Sequence, residues 1–515
     1  MELIDVILGI FAVCLVAVVA YRGLTEIYGY WKRQNVPFVP AKPLIGSIDW
    51  KTMNKPLQEI ETEWYNRYGR IYGRFEATKP VLSVGDPDIL RNILSTDFQI
   101  FPNRRDLKFH DPVMDNTLFV LEGDAWSRVR NIVSPAFTTS KLKRMFPLLT
   151  ECSDLLVERF AEVKNKTEDL NCQEYYGAFV LSAIARCAFG MNISAIRDPK
   201  NVFVEKSKKL FYECLSWRTY LTILCPVLMK IFRLKLLNPE TTGFYRNTII
   251  QVLEERKKLN LIRDDFLQML IDAEDANNNG ADIICEKGGC KVSTQPKIEK
   301  KGLTHDEMLS QSVTFFIAGF DATTSLLSHV TYRLAMHQNY QQMVVDEMKD
   351  ALNNHNGKMC YDALSEMKFL NAVIHECLRM CPAMVRHERR AEQDYQIQSR
   401  KIHLKKGTIV SIPVYAMHHD PEWYPEPEVF KPERFYPEEL RAMSRYNYLP
   451  FGNGKRMCVG MRFVHIQVKL CIAKLLMKFQ IMPAPSTPQT LGYTESRNVL
   501  TVNKVEVRLM ERQLY

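Results

Sequence analysis

Phe451 to Gly460 reads FGNGKRMCVG, and its one cysteine, Cys458, sits in a loop cut by three glycines just before a helical apolar pattern, VGMRFVHIQVKLCIAKLLMKF. Few stretches restrict a fold more. Gly452, Gly454 and Gly460 permit backbone conformations and close approaches that a Cβ would block, so the loop can pass tightly beneath a flat ligand. If the helix begins where its periodicity does, its free N–H groups and positive dipole end point at the sulfur and stabilise a thiolate. Phe451 can shield such a site, and Arg456 can pair with a carboxylate of a bound group. One thiolate, one aromatic and one arginine suit a porphyrin with propionates better than zinc or an iron–sulfur cluster, which draw several protein ligands.

The chain has 515 residues, 46% apolar and 25% charged, with a formal net charge of +9. That is ordinary globular composition with ample core, and the cationic excess suits an acidic partner or an anionic membrane surface. No Lys/Arg run marks a nucleic-acid site, and no nucleic-acid partner is expected. Thirteen cysteines without regular pairing do not make a secreted disulfide framework, so the body is expected to face a reducing compartment. Cys285 and Cys290 in IICEKGGC lack histidine partners and read as free thiols rather than zinc ligands.

Leu3 to Ala20 (LIDVILGIFAVCLVAVVA) is about the minimum length to span a bilayer, with Arg22, Lys32 and Arg33 following it. The YRGLTEIYGYWKR that comes next lacks a small-residue cleavage site, so residues 1–21 are expected to be an uncleaved transmembrane signal-anchor. Residues 22–46 are expected to be a Pro-rich linker, stiffened by Pro37, Pro40 and Pro43. Residues 47–515 then make a single catalytic domain, mainly α with a minor β region, and the polar stretch 272–301 is expected to be an insertion forming a long surface loop. Residues 211–237 mix apolar and aromatic side chains with Arg218, Lys230, Arg233 and Lys235, which suits a membrane interface or a pair of core helices equally.

The string F-G-x-G-x-R-x-C-x-G resembles the haem-binding signature of the cytochrome P450 superfamily, and other motifs of that family follow in its order across nearly the whole chain. Within it the sequence looks closest to the microsomal group that contains the liver drug oxidases and thromboxane synthase. The resemblance implies the P450 fold with an N-terminal membrane anchor, haem b (iron protoporphyrin IX) as cofactor, and Cys458 as the thiolate ligand of its iron. Glu376 and Arg379 in HECLR are similar to the family's E-x-x-R pair, with Arg434 of KPERF as third member in a structural network. Trp126 and Arg130 resemble its W-x-x-x-R, and the resemblance implies Arg389 and Arg104 as further propionate contacts.

In VTFFIAGFDATT the resemblance implies a long helix over the distal haem face, where Ala318 and Gly319 leave room for dioxygen and Asp321 is the acid. The family normally continues with a threonine that helps deliver protons; here Ala322 stands in that place and Thr323 follows. One residue is about 100° of rotation, so Thr323 serves the site only if the helix is locally distorted. Thr314, Phe315, Ala318, Ala322, Met384 and Val385 are implied to line an apolar substrate pocket. Variable recognition loops fall near Arg105 to Glu122, residues 211–237 and Leu491 to Asn498.

The implied activity is monooxygenation of a lipophilic small molecule (xenobiotic, steroid or fatty-acid-like) at the endoplasmic reticulum membrane, with the catalytic domain on the cytosolic face. Electrons come from NADPH through a flavoprotein reductase, with a small haem protein as a second donor. Lys455, Arg128 and Lys143 are expected on the basic patch that meets the reductase. Two rivals stay open. Ala322 favours an isomerase or dehydratase of lipid peroxides that needs no reductase, whereas the retained Glu376, Arg379, Asp321 and cysteine loop speak against a non-catalytic haem or lipid carrier.

Overall fold

The computed structural model describes Phe11, Leu15 and residues 21–512, apart from 24, 49–51, 53–54, 166–168, 194, 199–200, 214–230, 233–234, 279–281, 287–288, 294–301 and 494–498. The expected anchor and most of the 211–237 segment therefore lie outside the described residues. In chain order come Tyr30–Arg33 (α1), Leu57–Tyr68 (α2), Ile71–Glu76 (β1) and Lys79–Val84 (β2). Gly123–Val133 (α3), Thr139–Lys164 (α4), Leu170–Asn171 (β3), Cys172–Phe189 (α5), Val202–Glu213 (α6), Pro239–Lys258 (α7) and Phe266–Asn278 (α8) follow. The hairpin Asp282–Glu286 (β4) and Gly289–Ser293 (β5) precedes His305–Met336 (α9), Gln338–Asn354 (α10) and Lys368–Met380 (α11). His387–Arg390 (β6), Tyr395–Ile397 (β7), Ile402–Leu404 (β8), Ile409–Ile412 (β9), Met461–Lys478 (α12), Phe479–Pro483 (β10) and Glu506–Glu511 (β11) complete the body.

Among the described residues two large cores hold most of these elements, with a small third cluster of Ala372, Tyr424 and Phe435 at α11. The larger surrounds α9, which packs along α5 and touches α11 and α12. The smaller lies under a four-stranded sheet ordered β1-β2-β9-β6, in which β2 and β9 run parallel and the other neighbours antiparallel. Among the described residues α9 alone is long and apolar enough to cross a membrane, but 61% of its apolar window is buried, as in a core helix. It starts at a capping box: Thr304 Oγ1 accepts from the Glu307 N–H (3.2 Å), and the Glu307 carboxylate accepts from the Thr304 N–H (2.9 Å).

One expectation about organisation is refined and another corrected. The 22–46 segment, expected to be a stiff connector, is packed onto the body: Trp31 is fully buried, its indole N–H donating to the Arg74 carbonyl (3.1 Å), and Val36 and Val39 are buried beside it. Val39 donates to Gly73 O (2.9 Å) and Gly73 donates to Pro37 O (2.8 Å), so the prolines hold the backbone extended and that extended backbone adds to the edge of β1. Gly73 is required there, because a Cβ would lie 2.3 Å from the Trp31 ring. The stretch 272–301 is not all loop. The helix α8 runs on to Asn278 with Ala273 and Ala276 buried, and the apolar and β-branched residues on either side of residues 287–288 pair as β4 and β5.

Candidate functional site

The cysteine loop folds as its glycines require. Gly452 and Gly454 adopt φ of +70° and +74°, and a Cβ on Gly454 would lie 2.0 Å from the Leu94 carbonyl oxygen, so the loop closes against the chain only as glycine. The Cys458 N–H donates to Phe451 O (2.9 Å), and α12 begins three residues after the cysteine. Burial pushes the Cys458 thiol up. The N–H of Gly460, Arg130, Arg104 and the N–H of Met461 pull it the other way, the influences a thiolate at a helix start should feel. The side chain is nonetheless open to solvent-sized contact. A group both open and deep enough to be desolvated faces an internal cleft.

Around that cleft stand four arginines. Arg456 is buried against the Trp126 ring (4.3 Å), donating to Pro102 O (2.8 Å), Leu121 O (2.8 Å) and Asn103 Oδ1 (3.2 Å). Arg389 is buried on β6, Arg104 lies over the Phe119 ring (4.5 Å), and Arg130 stands one turn beyond Trp126 on α3. Among the described residues none of the four is ion-paired with a carboxylate. Burial, with repulsion from neighbouring arginines, brings Arg104 down to about 10 and Arg389 and Arg456 down to about 9; burial also lowers Arg130. Arg389 Nε and Arg456 Nη1 are buried without a hydrogen-bond partner. Cations crowded in this way, with orphaned donors, call for anionic oxygens. Two propionates of a flat ligand held by one thiolate fit the site. No group of three or more His, Cys, Asp or Glu side chains able to hold a metal occurs among the described residues.

What keeps the arginines together against their repulsion was not visible in the sequence. Arg105 and Glu388, the chain neighbours of Arg104 and Arg389, form a two-pronged ion pair (Nε–Oε2 2.8 Å, Nη2–Oε1 3.0 Å), because successive side chains of extended backbone point to opposite faces. That pair belongs to a buried network with Arg74, Glu61, Glu76 and Arg386, in which Arg105 first and then Arg74 and Arg386 hold the Glu76 carboxyl well below the usual range despite its burial.

Below the loop, Glu376 and Arg379 are fully buried and paired (2.7 and 2.9 Å). Arg379 also donates to His418 O (2.9 Å) and Pro427 O (2.7 Å), Glu376 accepts from the Lys431 N–H (3.0 Å), and Arg434 approaches Glu376 at 3.5 Å. His418, held neutral by burial, accepts the Leu449 N–H (2.9 Å), while the Leu449 carbonyl meets His387 Nε2 (3.0 Å). The charge network thus ends through His418 on the Leu449 N–H, while His387 of β6 holds its carbonyl, two residues before Phe451, whose ring stands 5.5 Å from that of His465.

On the opposite side the burial of α9 is interrupted. Most of its length is buried, but Thr314, Phe315, Ile317, Gly319, Asp321 and Ala322 are half-open and Ala318 is exposed, which opens a window in the middle of a core helix. Phe137 links this window to the cysteine loop. It stacks on Phe315 (5.2 Å) and lies 3.6 Å from where a Gly460 Cβ would be. Phe315 also meets Phe266 at 4.1 Å, and Val385 is fully buried, so of the expected pocket residues these two are taken up largely by packing. Ile317, not singled out in the sequence, has an open side chain.

The helix α9 runs unbroken through AGFDATT, the arrangement in which Thr323 was expected to point away from the Ala322 face. Thr323 is buried one turn from Gly319, whose face meets Ile184 of α5, so its hydroxyl is turned from Ala318. Asp321, in contrast, accepts a hydrogen bond from Thr501 Oγ1 (2.7 Å), and burial raises its pKa. Arg128 is also reassigned, since it binds Glu307 (3.0 Å) of the α9 cap and Gly302 O instead of facing a partner. Lys143 pairs with Asp362 (2.8 Å), and Lys455 lies 5.2 Å over the Phe98 ring.

The family model that matches the chain is that of cytochrome P450, over residues 36–508. Curated relatives include cytochrome P450 3A2 of Rattus norvegicus (32% identical, 92% of this chain and 90% of the relative), cytochrome P450 3A5 of Homo sapiens (33%, 92% and 91%) and cytochrome P450 3A13 of Mus musculus (31%, 96% and 95%).

Proposed function

Because the chain belongs to the cytochrome P450 family, and is with it a haem-thiolate monooxygenase carrying haem b, we propose that Cys458 is the iron ligand and that the cleft between the cysteine loop and α9 is the reaction chamber. The observation that carries this reading is the open thiol of Cys458 beside four arginines that have no carboxylate ion-pair partner among the described residues. When bound, the haem supplies dioxygen activation, which thiolate donation promotes. The protein's own residues do the rest. Arg104, Arg130, Arg389 and Arg456, with Trp126 behind Arg456, hold the two propionates; the N–H groups of Gly460 and Met461 stabilise charge on Cys458 Sγ; Phe451 limits water at the sulfur. Glu376, Arg379 and Arg434 brace the chain that leads into the loop.

On the α9 side exposed Ala318 leaves room for a small diatomic molecule, and Asp321, whose raised pKa eases protonation, holds the proton. Thr314, Ile317, Ala318, Ala322 and Met384 offer a mostly apolar wall, which suits a lipophilic substrate such as a xenobiotic, steroid or fatty-acid-like molecule. Electrons reach the site from NADPH through a flavoprotein reductase, with Lys455 on the approach surface, and the protein works at the endoplasmic reticulum membrane with its body in the cytosol. Exposed Ile231 and Phe232 (65% and 66%) support a membrane-facing side there.

The test is Cys458→Ser. The unchanged protein, reduced under carbon monoxide, should show the absorption band of thiolate-bound haem, and the variant should lose it; a variant that keeps the band removes the assignment. Ala322, which leaves no hydroxyl on that turn facing the cleft, favours one second reading, an isomerase or dehydratase of lipid peroxides. Product from a lipid hydroperoxide with neither NADPH nor reductase would select it.

A further inference from the structure

A carboxyl that must hold and release a proton inside a protein needs two things: a fixed orientation and a partner that does not permanently hold its charge. On α9 the hydroxyls near Asp321 are otherwise engaged. Thr324 Oγ1 donates to Phe320 O (2.7 Å), Ser325 Oγ accepts from the Val502 N–H (3.1 Å) and Thr314 Oγ1 donates to Ser310 O (2.7 Å), while Thr323 is buried. The hydroxyl that reaches Asp321 comes from 180 residues away, in the segment between β10 and β11.

That segment is fastened on both sides of the hydroxyl. Leu500 donates to Ala383 O (3.0 Å), Val499 bridges Met384, and Val502 is held by Ser325 and bridges Tyr493. Thr501 is therefore delivered to Asp321 by a backbone that cannot easily move, and its hydrogen bond is pre-organised. We propose that Thr501 is the positioning residue for proton delivery in this enzyme, orienting the Asp321 carboxyl at the cleft edge where the α9 turn itself offers no hydroxyl. This rests on the monooxygenase reading above. Among the described residues the titratable group beside the pair is Cys381, just past the end of α11, whose thiol burial raises to about 12, so it stays neutral. Asp321 takes a proton from water and gives it up towards the cleft past Ala318 and Ala322; the Thr501 proton remains on its oxygen throughout.

A hydrogen bond donated to the carboxylate lowers its pKa, opposing the burial that raises it. Removing it should therefore make Asp321 hold its proton to higher pH. In Thr501→Ala, infrared difference titration of the ferric protein, with Asp321→Asn identifying the band, should move the carboxyl midpoint up by about one unit. Product formed per NADPH consumed should fall roughly tenfold, with haem content and the reduced carbon-monoxide band unchanged. Thr501→Ser should restore both. The proposal is overturned if Thr501→Ala alters neither quantity, or if Thr501→Ser fails as badly as alanine, which would make the effect one of packing. If the unchanged protein lacks the thiolate band, the monooxygenase reading falls instead, while the infrared titration still decides whether Thr501 governs Asp321.

Discussion

The two walls of the cleft are built in opposite ways. On the thiolate side a short run of consecutive residues supplies the sulfur, the glycines and Arg456, and a buried network of Glu376, Arg379 and two histidines stiffens the approach to it. On the α9 side a regular helix supplies only an opening, and the hydroxyl that meets its acid arrives from near the C-terminus. The thiolate side must hold a charged ligand in one geometry, so it is dense with charge-assisted hydrogen bonds; the α9 side must admit substrates, so it offers small residues and one adjustable acid.

The contrast can be broken most severely at Glu376. If the thiolate side is rigid because its charges are buried and paired, Glu376→Gln leaves Arg379 buried without a counter-charge and should cost about 3–5 kcal/mol in urea unfolding of the haem-loaded protein. A loss below about 1 kcal/mol, the worth of an exposed pair, would show that the network is decoration. A smaller effect sharpens the account of the arginines. Glu388→Gln removes the clamp on Arg105 and should speed haem transfer to a scavenging protein by roughly tenfold, with the reduced carbon-monoxide band kept until the haem leaves. Unchanged transfer would mean that the arginines are held by packing alone. The smallest effects belong to the α9 side. Ala322→Thr should raise product per NADPH by less than about threefold, since Asp321 already has a hydroxyl partner, and Thr323→Ala should leave it unchanged because Thr323 is buried. A large change in Thr323→Ala would show that the helix opens at this turn in solution.

The same contrast explains what could be read from the amino-acid order. The family, the mainly helical fold and the cysteine loop were legible because their determinants are contiguous: glycine spacing, a helix start, and an i,i+3 pair. Thr501 carried no such signal, because nothing near it in the chain marks it as facing Asp321. The docking of the 22–46 segment onto the sheet was not legible for a related reason. Three prolines read as a connector, yet an extended backbone is also what pairs with a sheet edge, and the choice between the two was made by Trp31 meeting Gly73, a contact across 42 residues. The clamp of Arg105 on Glu388 escaped notice because a pair of adjacent arginines gives no hint of which side each will take.

Trp31 set against Gly73 has a mechanical consequence. A body joined by a swivel to whatever precedes it would sample many tilts, whereas one locked by a fully buried indole transmits torque. If residues 1–21 anchor the chain, lipid thickness or curvature that leans them should lean the haem as well, which linear dichroism of the haem in oriented bilayers would register. Widening that joint by Trp31→Ala should scatter the angle while leaving the cleft itself intact, so a compound leaving the bilayer would meet an entrance whose height and bearing are no longer fixed.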